Sequence, residues 1–192
     1  MTRHVFLALS VCVALATAAQ ATPNTGVTKP TDKELFAQAE ALRLGDDTSA
    51  AFEMMMALAE SGYGRAQAKV GYYYVKGIGT APSSTDAAIW YRVAIAGGRD
   101  GARTSYAKLL MAEGQTQAAL EQLNAGAAAG VLKARSLRAV LHYEGEFGAA
   151  SDRDAARLEL AALATEHDVP ALLTMLRGTL AGDAFEVTGP QL

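Results

Sequence analysis

The sequence has one cysteine in 192 residues, three histidines, one tryptophan and five prolines. With Cys12 as the lone thiol, a disulfide framework and a cysteine-ligated metal site are both excluded. Aromatic residues reach only 7% while alanine is abundant. That balance suits helices packed through small side chains better than a sheet, which draws on β-branched and aromatic residues. Charged residues make up 19% against 51% hydrophobic, a composition too apolar for a disordered chain. No apolar run reaches the roughly 20 residues that a membrane-spanning helix needs. An excess of basic charge is also missing: 17 Lys and Arg face 20 Asp and Glu, for a net charge of −3. A general attraction to nucleic acid or anionic lipid is therefore not expected. One all-α domain remains.

The first residues carry an export pattern. Arg3 supplies a positive start, Val5 to Ala16 are apolar, and Ala19-Gln20-Ala21 sets small residues where a signal peptidase cuts. The expected leader is 1–21, with the mature chain starting near Thr22. A lipidated Cys12 fits less well, because Val11 is bulky where a small residue is favoured. Cleavage removes Arg3, Cys12 and no acidic residue, which makes the chain one unit more negative. The expected location is the periplasm of a two-membrane bacterium, or outside the cell in another host. Residues 22–32, with Pro23, Gly26 and Pro30, read as a flexible linker; 33–181 read as the folded domain and 182–192 as a tail.

Inside the domain, short amphipathic segments alternate with glycine turns at a nearly fixed spacing. Gly62, Gly98 and Gly130 are 36 and then 32 residues apart, and Ala66, Ala102 and Ala134 repeat the same two intervals. A shift of 68 residues superposes Gly77 on Gly145, Asp86 on Asp154, Ala87 on Ala155 and Ala88 on Ala156. Each unit is expected to be a pair of antiparallel helices that buries its apolar face only by stacking on its neighbours. The spacing predicts helices at about 33–44, 47–61, 64–76, 84–97, 99–112, 115–129, 131–144, 152–166 and 168–180. Gly71, Ala87 and Ala88 would let backbones approach while Val70, Tyr74 and Trp90 fill the space between. Ser84, Ser151 and Asp168 are the expected helix starts.

Ala66, Gly71, Tyr74, Gly77, Gly79, Ala87, Trp90, Tyr91, Arg92 and Gly98, within Ser61 to Gly98, resemble the Sel1-like repeat, a relative of the tetratricopeptide repeats. The match degrades in later units, where Gln122 and Leu158 take the tryptophan place and Arg138 an apolar one. The resemblance implies an α-solenoid of about four stacked helix hairpins, serving as an adaptor or scaffold for a protein partner. It also implies that the first helix of each pair lines a groove. Arg65, Tyr72, Lys76, Thr104, Lys108, Lys133, Ser136 and Tyr143 would then face it, offering cations and tyrosines to an acidic peptide or chain terminus. A solvated helix face is the plainer reading of any one of them.

Catalytic and metal-binding patterns are sparse. There is no HExxH, GxSxG, SxxK or phosphate-loop motif, so no cofactor or metal is expected. His142 falls at the place of Tyr74 and should pack, and His167 should serve a helix junction. Glu144 and Glu146 are the one carboxylate pair that could act as acid and base in an alternative reading as a glycan-acting envelope enzyme or its accessory subunit. Met54, Met55 and Met56 cannot share one helix face, so at least one should be exposed or meet another chain unless that helix is buried on several sides. Self-association through the alanine-rich helices 115–129 and 152–166 is a further reading.

Overall fold

The computed structural model describes residues 30–183 and residue 185. The expected leader, most of the linker and residues 186–192 lie outside the described residues. Among the described residues there are nine α-helices: α1 (Asp32–Leu44), α2 (Thr48–Glu60), α3 (Gly64–Lys76), α4 (Ser84–Ala96), α5 (Ala102–Ala112), α6 (Thr116–Ala128), α7 (Leu132–Glu144), α8 (Arg153–Thr165) and α9 (Val169–Leu180). The expected boundaries hold to within three residues. None of these helices is long and apolar enough to cross a membrane.

Local chemistry sets the starts. Thr31 and Glu34 cap α1 reciprocally, the Thr31 hydroxyl accepting from the Glu34 N–H at 3.3 Å and the Glu34 carboxylate from the Thr31 N–H at 2.7 Å. Asp168 caps α9 as expected, accepting from the Ala171 N–H at 2.9 Å. Two other caps are corrected by one residue. Ser83, in extended geometry, accepts from the Asp86 N–H, which places Ser84 inside the helix. Asp152 caps α8, while the Ser151 hydroxyl accepts from the Phe147 N–H in the preceding turn.

Gly62, Gly98 and Gly130 all adopt left-handed φ between 78° and 94° at equivalent turns, where a side chain would be strained. At the next such turn His167 takes φ 63° without being glycine, which is the junction role expected of it. Gly79 is needed for a second reason: a Cβ there would lie 2.0 Å from the Thr48 carbonyl oxygen of α2.

Each helix packs on the next, so consecutive helices form antiparallel hairpins stacked into an α-solenoid. The odd-numbered helices also touch one another across hairpins: α3 meets α5, α5 meets α7 and α7 meets α9. Even-numbered helices make no comparable contact with each other. In a curved stack the elements that meet their second neighbours lie on the shorter, inner side, so the odd helices form the inner face.

Small residues make these approaches close. Ala39, Ala51, Ala66, Ala87, Ala107, Ala134 and Ala171 are fully buried. At Gly71 a Cβ would stand 2.8 Å from the Tyr91 ring, so α3 and α4 could not be this near with any other residue. Val70 is buried, and Trp90 and Tyr74 pack half-buried against the first core cluster. The most buried aromatic of the three-tyrosine run is Tyr73, whose hydroxyl donates to Glu40 at 3.0 Å, next to Lys69 at 3.0 Å from the same carboxylate. Met55 is fully buried while Met54 and Met56 are half-buried, because α2 is held between α1 and α3. That is the several-sided burial which accommodates three consecutive methionines.

The C-terminal boundary is later than expected. The Tyr143 hydroxyl donates to Asp183, Arg157 pairs with Asp183 at 3.2 Å, and the Phe185 ring sits 5.4 Å from Tyr143. Packing therefore extends to Phe185 rather than ending at 181.

Candidate partner-binding cleft

On the inner face, α3 and α5 leave a cleft of about 430 Å³ between them. Its α3 wall is Tyr72, Val75 and Lys76, which the helical repeat places on one ridge by their spacing of three and four. The α5 wall is formed by Ser105, Lys108, Leu109 and Ala112 at the same spacings. Tyr91 of α4 closes the back. It is almost wholly buried, and that burial pushes its phenol up to about 12, so the floor stays neutral at ordinary pH. Tyr72 and Val75 remain 40% and 36% exposed, which leaves apolar surface at the mouth.

Of the eight groove residues expected from the sequence, Tyr72, Lys76 and Lys108 meet in this cleft. Arg65 and Lys133 lie near the starts of α3 and α7, away from it, and Arg65 stacks over the Phe36 ring at 4.9 Å. Thr104, Ser136 and Tyr143 are corrections, since all three side chains are buried. Ser136 donates to the α9 cap Asp168 at 2.7 Å, Tyr143 is taken by Asp183, and the Thr104 hydroxyl is buried without a hydrogen-bond partner among the described residues. Val75 and Leu109 were missed, although their spacing from Tyr72 and Lys108 along each helix would have found them.

Charge is unevenly spread over the helices: α1 carries Asp32, Glu34 and Glu40, and α4 and α8 carry both signs. α3, α5 and α9 contain no acidic residue, and α7 contains only Glu144. α2 and α6 contain acids and no base. Most inner-face cations are used inside the fold: Lys69 pairs with Glu40, Arg103 with Asp100, and Arg135 and Arg138 with Glu159. Lys76 and Lys108 pair with no carboxylate among the described residues and stand at the rim of the cleft.

A second, smaller pocket of about 160 Å³ lies where α6, α7 and α8 meet, lined by Arg138, His142, Asp152 and Glu159 among others. His142 packs its ring edge-on to Phe147 at 4.7 Å, and its Nδ1 accepts from the Asp152 N–H at 3.3 Å. Burial first, and the Arg138 charge second, hold it below the usual histidine range. Glu144 faces Arg177 at 3.9 Å and Glu146 is exposed at the end of α7, so neither lines this pocket or the cleft.

The hairpin stack matches a solved structure, a Sel1 repeat protein from Oxalobacter formigenes, with a TM-score of 0.58 at 20% sequence identity, over 68% of this chain and 55% of that one. The chain has the Sel1-repeat fold. It spans about half the length of the Oxalobacter protein, and at this identity the likeness concerns architecture alone. Neither a protein-family model nor a curated protein matches the sequence. Within the Sel1-repeat fold, the α3–α4 hairpin carries the resemblance read from Ser61 to Gly98, with Gly71, Ala87 and Tyr91 at its closest helix contact.

Proposed function

We propose that the chain is an exported protein-interaction adaptor that holds a partner on the inner face of its Sel1-repeat solenoid. The observation that carries this reading is the α3–α5 cleft, where an exposed tyrosine and two lysines without carboxylate partners surround an apolar recess. Other exposed cations, such as Arg92 and Lys133, also lack a carboxylate partner among the described residues; Lys76 and Lys108 differ in standing together beside an apolar recess. Tyrosine contributes contact area at low entropic cost, and lysine contributes charge that steers encounter. Export rests on Arg3, the apolar stretch from Val5 to Ala16 and Ala19-Gln20-Ala21, and makes the periplasm the proposed location.

The test is to tag the chain at its C-terminus in its source cells, sequence the N-terminus of the purified protein, and identify what cross-links to it. The wild type should begin at or near Thr22 and retain a specific protein that the Tyr72→Ala, Lys76→Glu, Lys108→Glu triple variant loses. A protein still carrying residues 1–21 contradicts export, and a partner held equally by both forms contradicts the site.

A further inference from the structure

The cleft between α3 and α5 has a chemistry that the solenoid does not repeat. In the register of the turn glycines, Tyr72 and Lys76 correspond to Lys108 and Ala112 one unit on, and to Val140 and Glu144 two units on. Where α3 ends in a lysine, α7 ends in a carboxylate that faces Arg177. The geometry recurs along the inner face, but two rim cations over an apolar recess occur between α3 and α5.

The recess is graded from mouth to floor. Tyr72 and Val75 offer exposed apolar surface, Leu109 is buried beside them, and the neutral Tyr91 phenol lies behind. Such a site seats an apolar side chain at its centre and anions at its edge. The net charge of the whole chain, which is negative, restricts what those anions belong to. A long uniform polyanion would be repelled beyond the cleft. A short segment with a few carboxylates around one apolar residue would not be.

We infer that the α3–α5 cleft binds an extended, internal acidic segment of a partner protein, placing one apolar side chain against Tyr72, Val75 and Leu109 and flanking Asp or Glu carboxylates against Lys76 and Lys108. This rests on the adaptor reading above and specifies its partner. Charge complementarity selects the segment, and the apolar recess fixes its register.

The experiment is to pan the purified chain against a displayed library of twelve-residue peptides, then measure selected peptides, synthesised with both ends blocked, by fluorescence anisotropy. Selected sequences should carry Asp or Glu on either side of an aromatic or aliphatic residue. Affinity should fall about tenfold or more in the Lys76→Glu, Lys108→Glu variant and about threefold in Tyr72→Ala, and should weaken as salt is raised. Replacing the peptide's acids with their amides should cost as much as the lysine changes. Acidic peptides that bind the lysine variant unchanged overturn the cleft assignment while leaving a protein-binding role standing. Selection of basic or neutral peptides overturns the acidic specificity. If no peptide is enriched by a chain whose helical circular dichroism and cooperative melt show it folded, the inference fails. The adaptor reading fails with it only if cross-linking in the source cells also captures no protein.

Discussion

The α3–α4 and α7–α8 hairpins are related by a shift of 68 residues and each has an apolar core, yet they differ at one helix contact. In the first, Gly71 brings α3 against the Tyr91 ring and Val70 is buried beside it. In the second, the same three places hold Ala139, Glu159 and Arg138. There the Arg138 guanidinium donates to both Glu159 oxygens at 2.8 and 3.0 Å, and Arg135 adds a third contact at 3.3 Å. An apolar closure has been exchanged for an ionic one, and both sides of the contact changed together. The ionic hairpin uses its inner-face arginines internally, whereas the apolar hairpin leaves Lys76 at the cleft. The hairpins differ in cover as well: Leu158, at the place of Trp90, is 66% exposed.

Several substitutions would break or sharpen this comparison. The largest effect is expected in the turns. Gly79→Ala would drive a methyl into the Thr48 carbonyl at left-handed φ and should destabilise by about 3 kcal/mol, lowering Tm by about 6–12 °C. Gly145→Ala, at similar φ but with no atom within 4 Å, should cost only about 1 kcal/mol in the same thermal melt. Next comes the helix contact. Gly71→Ala should destabilise by about 2 kcal/mol through the Tyr91 clash, even though alanine is the better helix former. Ala139→Gly, its counterpart, should cost about 2 kcal/mol, about half from helix propensity and half from loss of a fully buried methyl. Urea titration of both variants would show whether the two hairpins differ as described.

The ionic closure is testable by a double-mutant cycle. Arg138→Val alone leaves Glu159 partly buried with Arg135 as its remaining cation, and should cost about 2 kcal/mol. Adding Glu159→Leu replaces the ion pair with two apolar side chains, small enough to sit beside Ala139, and should recover about half of that loss. If the second change adds to the damage, the two closures are not interchangeable. The smallest effect concerns His142. Its folded state resists protonation, so the unfolded chain binds the proton more readily; the associated stability is complete above about pH 6.5 and is lost as pH falls below that value. Melting temperatures from pH 8 to 5 should show this decline in wild type and a smaller one in His142→Gln.

Much of the scaffold was legible because it rests on residues with few alternatives. Left-handed turns select glycine, so Gly62, Gly98 and Gly130 marked the unit length directly, and apolar spacing placed the helices between them. His167 shows the limit of that signal, since a non-glycine occupies the same conformation. Lys76 and Lys108 could be placed at the surface from the sequence because lysine is seldom buried. Thr104, Ser136 and Tyr143 were misplaced for the converse reason: small hydroxyls and tyrosine are tolerated on either side of a helix. For Ser136 and Tyr143 the burial comes with partners distant in sequence, Asp168 and Asp183, 32 and 40 residues away. The run Tyr72-Tyr73-Tyr74 makes the same point within three residues, one exposed, one fully buried and one half-buried. Periodicity placed Tyr72 and Lys76 on one ridge, but only the approach of α5 turned that ridge into a cleft.

The most direct test of the inner-face account places a photo-crosslinking amino acid at Tyr72 in one variant and at Ile89, an exposed position on α4, in another, and irradiates each in the source cells. The account predicts a discrete protein adduct from position 72 and none from position 89. Adducts from position 89 alone would put the partner on the opposite side of the solenoid and contradict it.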